Sequence, residues 1–184
     1  MGAAMNPNRG NESGFSLIES LTAMAILSVG MMGVAAAFLQ GLTFVKGSAY
    51  DILAREKAAE AIESVFTARD TRTITWAQIR NIEGDSGSDG GIFTDGALTL
   101  TSAGSDGMVN TADDGDEPES LVQPGVDGLL GTEDDVIQPL TNFTREVEIR
   151  DIGLTLRQLR VIIRYTVGGD EREFVITTLI SSYA

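Results

Sequence analysis

The residues best equipped for chemistry are acidic and occur in two copies of one motif. Residues 105–114 recur 21 positions later as residues 126–135, and each copy reads Asp-Gly, five residues, then Asp-Asp. Carboxylate oxygens, with a glycine that permits a tight turn, are what Ca²⁺ requires, although the spacing matches neither an EF-hand nor the glycine-aspartate nonapeptide repeat. The alternative is a solvated acidic loop. We predict that the metal ligands, if any, are Asp106, Asp113, Asp114, Asp127, Asp134 and Asp135.

A second chemically notable residue is Glu19, an acid that directly precedes a long apolar segment. The 26 residues from Ser20 to Val45 carry no charge. As a helix they would extend roughly 39 Å, which exceeds the roughly 30 Å hydrocarbon layer of a bilayer. A carboxylate in hydrocarbon costs a few kcal/mol unless a cation pairs with it. Glu19 is therefore predicted to be functional, the alternative being a position among the lipid headgroups.

Composition excludes several classes of protein. The 184 residues include no Cys and no His, and the net charge is −14. Disulfides, zinc fingers, thiol nucleophiles and His-based triads are therefore ruled out. Nucleic acid is not an expected partner, because phosphate binding requires clustered Lys and Arg. No catalytic pair stands in a pocket-forming context, so we expect no enzyme and no cofactor other than possible Ca²⁺.

The elements that must position these residues begin with one long helix, predicted from residue 15 to residue 69. Its first half is apolar on all sides, as in a membrane span, and its second half is amphipathic. The second half is expected to pack on a globular head through one face. The residues predicted on that face are Ala49, Ile52, Ala59, Ile62 and Phe66. Within the span, small residues at four-residue spacing, Gly33, Ala37 and Gly41, predict a strip for close helix packing.

Residues 83–135 carry the net charge of the chain. They hold 14 acids, no Lys or Arg, and 11 of the 21 glycines. Such sequence is expected to form loop rather than to bury apolar area, with short strands at most near residues 92–93 and 97–101. Residues 143–181 alternate apolar and polar side chains and predict three antiparallel strands, with a tight turn at Gly168-Gly169. The predicted fold class is α+β, a long helix on a small sheet of three or four strands with a long acidic loop.

The N-terminal residues resemble a known processing signal. Gly14, Phe15 and Glu19 are similar to the type IV prepilin (class III) motif, which has Gly before the cut and Glu at the fifth mature position. The continuation at residues 26–33 and the closing residues 174–181 resemble the PilV-like minor pilins, or type IV pilus modification proteins. The resemblance implies a pilin-like fold, cleavage after Gly14 by a prepilin peptidase and N-methylation of Phe15. It also implies that Glu19 pairs with the methylated amine of a neighbouring Phe15 during assembly.

The same resemblance implies the domain organisation and location. Residues 1–14 would be the leader, residues 15–45 the transmembrane and filament-core helix, and residues 46–184 a periplasmic head containing the amphipathic helix, acidic loop and sheet. The chain would sit in the bacterial inner membrane by a single pass, then in a pilus fibre or at the cell surface. Implied partners are the prepilin peptidase, other major and minor pilins, the inner-membrane assembly platform and the lipid bilayer.

Two other functions remain open from the sequence. A minor pseudopilin of a type II secretion system shares the helix and the cleavage motif. A secreted or anchored calcium-binding domain would instead use the apolar run as an ordinary signal, with Ala35-Ala36-Ala37 as the signal-peptidase site. The mature N-terminus separates these readings: methylated Phe15 identifies a pilin or pseudopilin, and Phe38 a secreted protein.

Overall fold

The computed structural model describes residues 16–84 and 90–183. The chain divides into two compact units, Met1–Phe44 and Val45–Ala184. Helix α1 is assigned from Leu17 to Asp70 and supplies the described part of the first unit and the start of the second. Gly14 and Phe15 lie outside the described residues.

In the first unit, helix α1 begins where the Ser16 carbonyl oxygen accepts hydrogen bonds from the Glu19 and Ser20 N–H groups, at 3.0 and 3.1 Å. Its side chains are exposed on every side up to Phe44. Its most apolar 18-residue window has a mean hydropathy of 2.0, with none of the window buried. By length and composition this helix can cross a membrane.

In the second unit, the buried face of α1 differs from the predicted one. Ala49, Ile52 and Ala59 are exposed, and Ile62 and Phe66 are only half-buried. The buried positions are small or β-branched: Gly47, Ala54, Ala58, Ala61, Val65 and Ala68. Three of the predicted residues, Ala59, Ile62 and Phe66, each follow a buried residue by one position, so the predicted face is rotated from the buried one. The small buried side chains let the helix backbone approach the sheet, whose own larger residues fill the core. At Gly47 an added Cβ would lie 3.0 Å from Arg172 Nη1.

The sheet confirms the α+β prediction. A short 3₁₀ helix, η1 (Trp76–Gln78), follows α1. The strands are β1 (Leu98–Thr99), β2 (Ser120–Gln123), β3 (Val136–Pro139), β4 (Phe143–Gly153), β5 (Leu156–Val167) and β6 (Asp170–Ser181). The main sheet has the order β1-β4-β5-β6, and β2 and β3 form a separate two-stranded sheet. All these pairings are antiparallel.

Strand register follows from turn chemistry and alternation. Gly168 and Gly169 both have positive φ, 62° and 96°, and connect β5 to β6 with Val167 opposite Asp170. Two successive positive φ values suit glycine and match the right-handed strand twist. On β4, buried Phe143, Val147 and Ile149 alternate with half-buried polar residues, as predicted. The same alternation places Arg145 on the buried face.

The acidic segment contributes to the core, which corrects the expectation that it would be loop without buried apolar area. Phe93, Leu100, Met108 and Val109 are all buried. Of the expected short strands, β1 forms at Leu98–Thr99, and Phe93 makes only isolated bridges to Asn81 and Thr111. Composition was misleading here because a few apolar residues between the acids reach the core, while the described acids of the segment remain exposed or half-buried.

Candidate functional site

Glu19 lies in the first turn of α1 and is exposed. The Thr22 hydroxyl donates to the Glu19 carbonyl oxygen at 2.9 Å and to the Ile18 carbonyl oxygen at 3.0 Å, so Thr22 is satisfied within the helix. The N-terminal turn of a helix carries partial positive charge, which favours an acid at this position. The predicted cation for Glu19, the amine of a processed Phe15, falls outside the described residues.

The predicted packing strip is also exposed. Gly33, Ala37 and Gly41 are all exposed in the chain. A Cβ built on Gly33 or Gly41 would have no heavy atom within 4 Å beyond the helix itself. Nothing within the described chain therefore requires a small residue at these two positions, and their role in helix packing stays a prediction.

The two copies of the acidic motif form two loops that share four hydrogen bonds. We call residues 104–114 the first loop and residues 125–135 the second loop. In the first loop, Asp106 caps the turn and Asp113 holds the loop closed. Asp114 accepts from the backbone N–H group of Asn110, whose φ is positive at 61°. The bonds are Met108 N to Asp106 Oδ1, 2.8 Å; Asp106 N to Asp113 Oδ2, 3.1 Å; Thr111 Oγ1 to Asp113 Oδ1, 2.9 Å; and Asn110 N to Asp114 Oδ2, 2.7 Å.

The second loop repeats each bond with partners 21 residues later. The bonds are Leu129 N to Asp127 Oδ1, 2.8 Å; Asp127 N to Asp134 Oδ2, 3.2 Å; Thr132 Oγ1 to Asp134 Oδ1, 2.7 Å; and Gly131 N to Asp135 Oδ2, 2.6 Å. The sequence duplication is therefore a structural duplication, and all six predicted aspartates belong to it.

The repeat is longer than the predicted motif, because each loop opens on a glycine. A Cβ at Gly104 would lie 2.2 Å from the Asp113 carbonyl oxygen, and one at Gly125 would lie 2.2 Å from that of Asp134. Only glycine fits at such distances. Sequence reasoning missed these two glycines, although the offset of 21 residues that identified the aspartates also relates Gly104 to Gly125.

Hydrogen bonding inside the loops favours the ionised carboxylates. The Ser105 hydroxyl, followed by the Thr111 hydroxyl, lowers the pKa of Asp113 from 3.8 to about 2. The Thr132 hydroxyl and the Asp127 N–H group lower the pKa of Asp134 in the same way. Donors that bond to a carboxylate stabilise its charged form, so both loops are held together by ionised aspartates at neutral pH.

The same bonds bear on the calcium prediction. Ca²⁺ takes six to eight oxygen ligands. Among the described residues, no group of three or more acidic side chains is arranged to hold a metal ion. The carboxylates instead face N–H and hydroxyl groups of their own loop, and these donors would have to be released for the oxygens to converge on a cation. The calcium site stays a prediction.

The first loop rests on a buried charge that sequence reasoning did not single out. Arg145, on β4, is 0% exposed. Its Nε donates to Asn110 Oδ1 at 2.6 Å, and its Nη2 donates to the Thr101 carbonyl oxygen at 2.9 Å. Asp114 and Glu119 carboxylate oxygens lie 3.8 and 3.9 Å from the guanidinium. Burial lowers the pKa of Arg145, and these acids oppose that shift.

Helix α1 is tied to this group through Lys57. Lys57 Nζ lies 2.5 Å from Glu119 Oε2 and 2.7 Å from Glu60 Oε2. Burial alone would lower the pKa of Lys57, but its hydrogen bonds to the two glutamates outweigh burial and raise it. A polar network therefore runs from the helix through Glu119 and Arg145 to the first loop.

Comparison with known proteins identifies the N-terminal segment. Residues 9–35 match the family model of the prokaryotic N-terminal methylation motif. No curated protein and no solved structure shows a significant match to the chain. The matched segment contains Gly14, Phe15 and Glu19 and runs into the exposed apolar part of α1. Together the motif and this helix support a type IV pilin-like prepilin, a membrane-anchored substrate of a prepilin peptidase.

Proposed function

We propose that this chain is a minor, PilV-like type IV pilin that enters a pilus, or its priming or tip complex, through its N-terminal helix. The observation that carries the proposal is the methylation motif at residues 9–35, followed directly by a helix with its apolar side chains exposed. The residues from Val45 onward bury a core of their own. Such a chain has an apolar helix to share with other subunits and a head that needs no partner to form its core.

The proposed processing begins on the cytoplasmic side of the inner membrane. A prepilin peptidase cleaves after Gly14 and methylates the amine of Phe15, and the head from residue 46 lies in the periplasm. Glu19 then becomes the fifth residue of the mature chain. An unpaired carboxylate in hydrocarbon is costly, so a cationic Phe15 amine on a neighbouring subunit stabilises the assembled position over any other. Assembly thereby selects subunits that have been processed.

Close helix packing in the filament is the proposed role of Gly33, Ala37 and Gly41. Between apolar helices there is little hydrophobic driving force, so small residues that let backbones approach supply the contact. The open space around Gly33 and Gly41 supports this role, since these glycines serve no packing need within their own chain.

Mass spectrometry of the mature N-terminus in the native host tests the processing step. The proposal predicts N-methylated Phe15. A mature chain that begins at Phe38 would identify the secreted alternative. A methylated Phe15 on chains that remain in the periplasm, with none in surface fibres, would identify a pseudopilin of a secretion system.

Incorporation of Glu19→Ala into fibres tests the assembly step. We expect at least a tenfold loss of incorporation, because the variant leaves the Phe15 amine of the neighbouring subunit without its counter-ion in hydrocarbon. An unpaired charge there costs a few kcal/mol, and each 1.4 kcal/mol is a factor of ten. Glu56→Ala is the matched control, since Glu56 is an exposed acid of the same helix outside the apolar part. Equal incorporation of both variants would refute the role of Glu19.

A further inference from the structure

The two loops differ in what their apolar residues contact. In the first loop, Met108 and Val109 are each 1% exposed and belong to the core. The equivalent residues of the second loop, Leu129 and Leu130, are 62% and 65% exposed. Four more large apolar residues around the second loop are exposed: Val122, Val126, Val136 and Ile137. Val122 and Ile137 are cross-strand partners in the hairpin that carries the loop. A group of exposed large apolar side chains on one hairpin of a folded domain marks an interaction site.

The second loop is carried by a hairpin whose base is fixed by hydrogen bonds. Strands β2 and β3 pair through four residues each. The Leu140 N–H group donates to the Glu119 carbonyl oxygen at 2.8 Å, and Gln138 Nε2 donates to Tyr50 Oη at 2.7 Å. The internal bonds of the loop fix its tip. Binding by a preordered loop loses little conformational entropy.

The contacts of the first loop indicate the kind of surface that binds a loop with this motif. Its apolar pair enters the core, and Asp114 at its end lies 3.8 Å from the guanidinium of buried Arg145. In the second loop, Asp135 occupies the place of Asp114. Its Oδ2, which is equivalent to the Asp114 oxygen nearest Arg145, accepts from the Gly131 N–H group but has no cation within ion-pair distance among the described residues. The second loop therefore has the shape of a docked loop but lacks the apolar cleft and the cation.

We propose that the second loop docks into the head of a different, neighbouring filament subunit, in an apolar cleft that carries an arginine at its edge. This partner rests on the proposed function, which supplies neighbouring subunits. Leu129 and Leu130 enter the cleft, and the arginine meets Asp135. A second copy of this chain is not the partner, because its equivalent cleft is filled by its own first loop. An anionic lipid surface is disfavoured, because Asp127, Glu133 and Asp134 beside the leucines would be repelled by it.

Photocrosslinking in the native host tests this contact on the full chain. Leu130→p-benzoylphenylalanine places the probe in the proposed cleft, and the adduct is identified by mass spectrometry. We expect an adduct with a second processed pilin whose crosslinked peptide lies next to an arginine in the folded head. The same probe in place of Leu154, which is 98% exposed in the β4–β5 turn, should give at least fivefold less of this adduct.

Charge-matched variants on the Leu130 probe background separate docking from general attraction. Asp135→Asn should reduce the adduct at least fivefold, because it removes the charge that faces the arginine. Glu133→Gln should change it less than twofold, because the equivalent residue of the docked first loop is the uncharged Ala112. Equal loss in both variants would reduce the contact to nonspecific charge attraction and overturn the proposal.

The remaining outcomes separate this inference from the proposed function. Chains that begin at Phe15 and enter fibres, yet crosslink only to lipid, to their own copies or to nothing, overturn the docking while leaving the pilin assignment intact. Chains that are never cleaved after Gly14 overturn the proposed function and this inference with it.

Discussion

The first and second loops share a sequence motif and a set of hydrogen bonds, but only the first is part of the core. The shared residues, glycines, threonines and aspartates, determine the course of the backbone. The residues that differ determine what the loop contacts. The local shape of a loop and its tertiary role are thus encoded by different positions within the same ten or so residues.

The position with a left-handed backbone shows this division most clearly. Asn110 has φ of 61° and the equivalent Gly131 has φ of 87°, so both residues suit the turn. Only asparagine brings a side chain, and its amide accepts from Arg145 Nε and donates to the Arg145 carbonyl oxygen at 3.1 Å. In the second loop the glycine makes the same turn and leaves the loop without this connection to β4.

The largest expected effect on the free energy of unfolding comes from removing the buried charge of Arg145 beneath the first loop. Arg145→Met removes a buried guanidinium and leaves Asn110 Oδ1, the Thr101 carbonyl oxygen and Asp114 without it. Breaking one side of a buried charge network costs about 3–5 kcal/mol. Urea unfolding of the full chain in detergent, followed by the fluorescence of Trp76, the only tryptophan, measures this loss of stability.

Arg164→Met is the matched control for Arg145→Met. Arg164 also lies on the sheet and pairs with Glu146 at 2.7 Å, but it is partly exposed. An exposed ion pair contributes about 0–1 kcal/mol. If the two variants lost equal stability, the buried network would not anchor the first loop.

Next in size is the direct comparison of the two apolar pairs. Met108→Ala should cost about 2–5 kcal/mol, since it deletes a core side chain and leaves a cavity. Leu129→Ala, at the equivalent exposed position, should change the free energy of unfolding by less than about 0.5 kcal/mol. The same urea titration measures both, and a comparable loss in the two variants would mean that the second loop is packed in solution.

The calcium hypothesis predicts a smaller effect, and one common to both loops. At ten to a hundred times its dissociation constant, a bound ion would stabilise the head by about 1.4–2.7 kcal/mol. Thermal unfolding of the full chain in Ca²⁺, in Mg²⁺ and in chelator measures this, with Asp113→Asn and Asp134→Asn as variants that remove one ligand from each loop. A Ca²⁺ shift no larger than the Mg²⁺ shift would contradict a specific site and leave the hydrogen-bonded loops as the whole role of the aspartates.

Much of the fold followed from the sequence because it rests on local patterns. The apolar run predicts the helix, the alternation from Phe143 predicts β4, and Gly168-Gly169 predicts the turn into β6. The predicted processing residues come from a compact motif that needs no tertiary information. The duplicated aspartates were also visible in the sequence, because they recur at a fixed offset.

The parts that could not be predicted depend on contacts between distant segments. The buried face of α1 is made mostly of alanines, and alanine occurs on buried and exposed helix faces alike, so the sequence does not distinguish this face before the sheet is placed against it. Met108-Val109 and Leu129-Leu130 look alike in the sequence, and only the position of β4 makes one pair core and leaves the other exposed. Alternation along β4 places Arg145 on the buried face, but its partners Asn110 and Thr101 are 35 and 44 residues away.

The smallest effect we expect is on acid sensitivity, and it should again distinguish the loops. The pKa of Asp113 is lowered to about 2 from 3.8 in the folded chain. The unfolded chain therefore binds a proton first, so this carboxylate contributes stability above about pH 4 that is lost as the pH falls toward 2. The urea midpoint of Asp113→Asn should accordingly fall less between pH 5 and pH 2 than that of the unsubstituted chain.

Asp134→Asn provides the comparison for this pH profile. The pKa of Asp134 is lowered by the same kind of bonds, but the leucines of its loop are exposed, so we expect the second loop to open at low pH without disturbing the core. A carboxylate in a segment that opens independently adds little to the pH dependence of global unfolding. Asp134→Asn should therefore leave the pH profile of the urea midpoint close to that of the unsubstituted chain. If Asp134→Asn reduced the pH dependence of the urea midpoint as much as Asp113→Asn does, the second loop would unfold together with the core, as only a packed loop does.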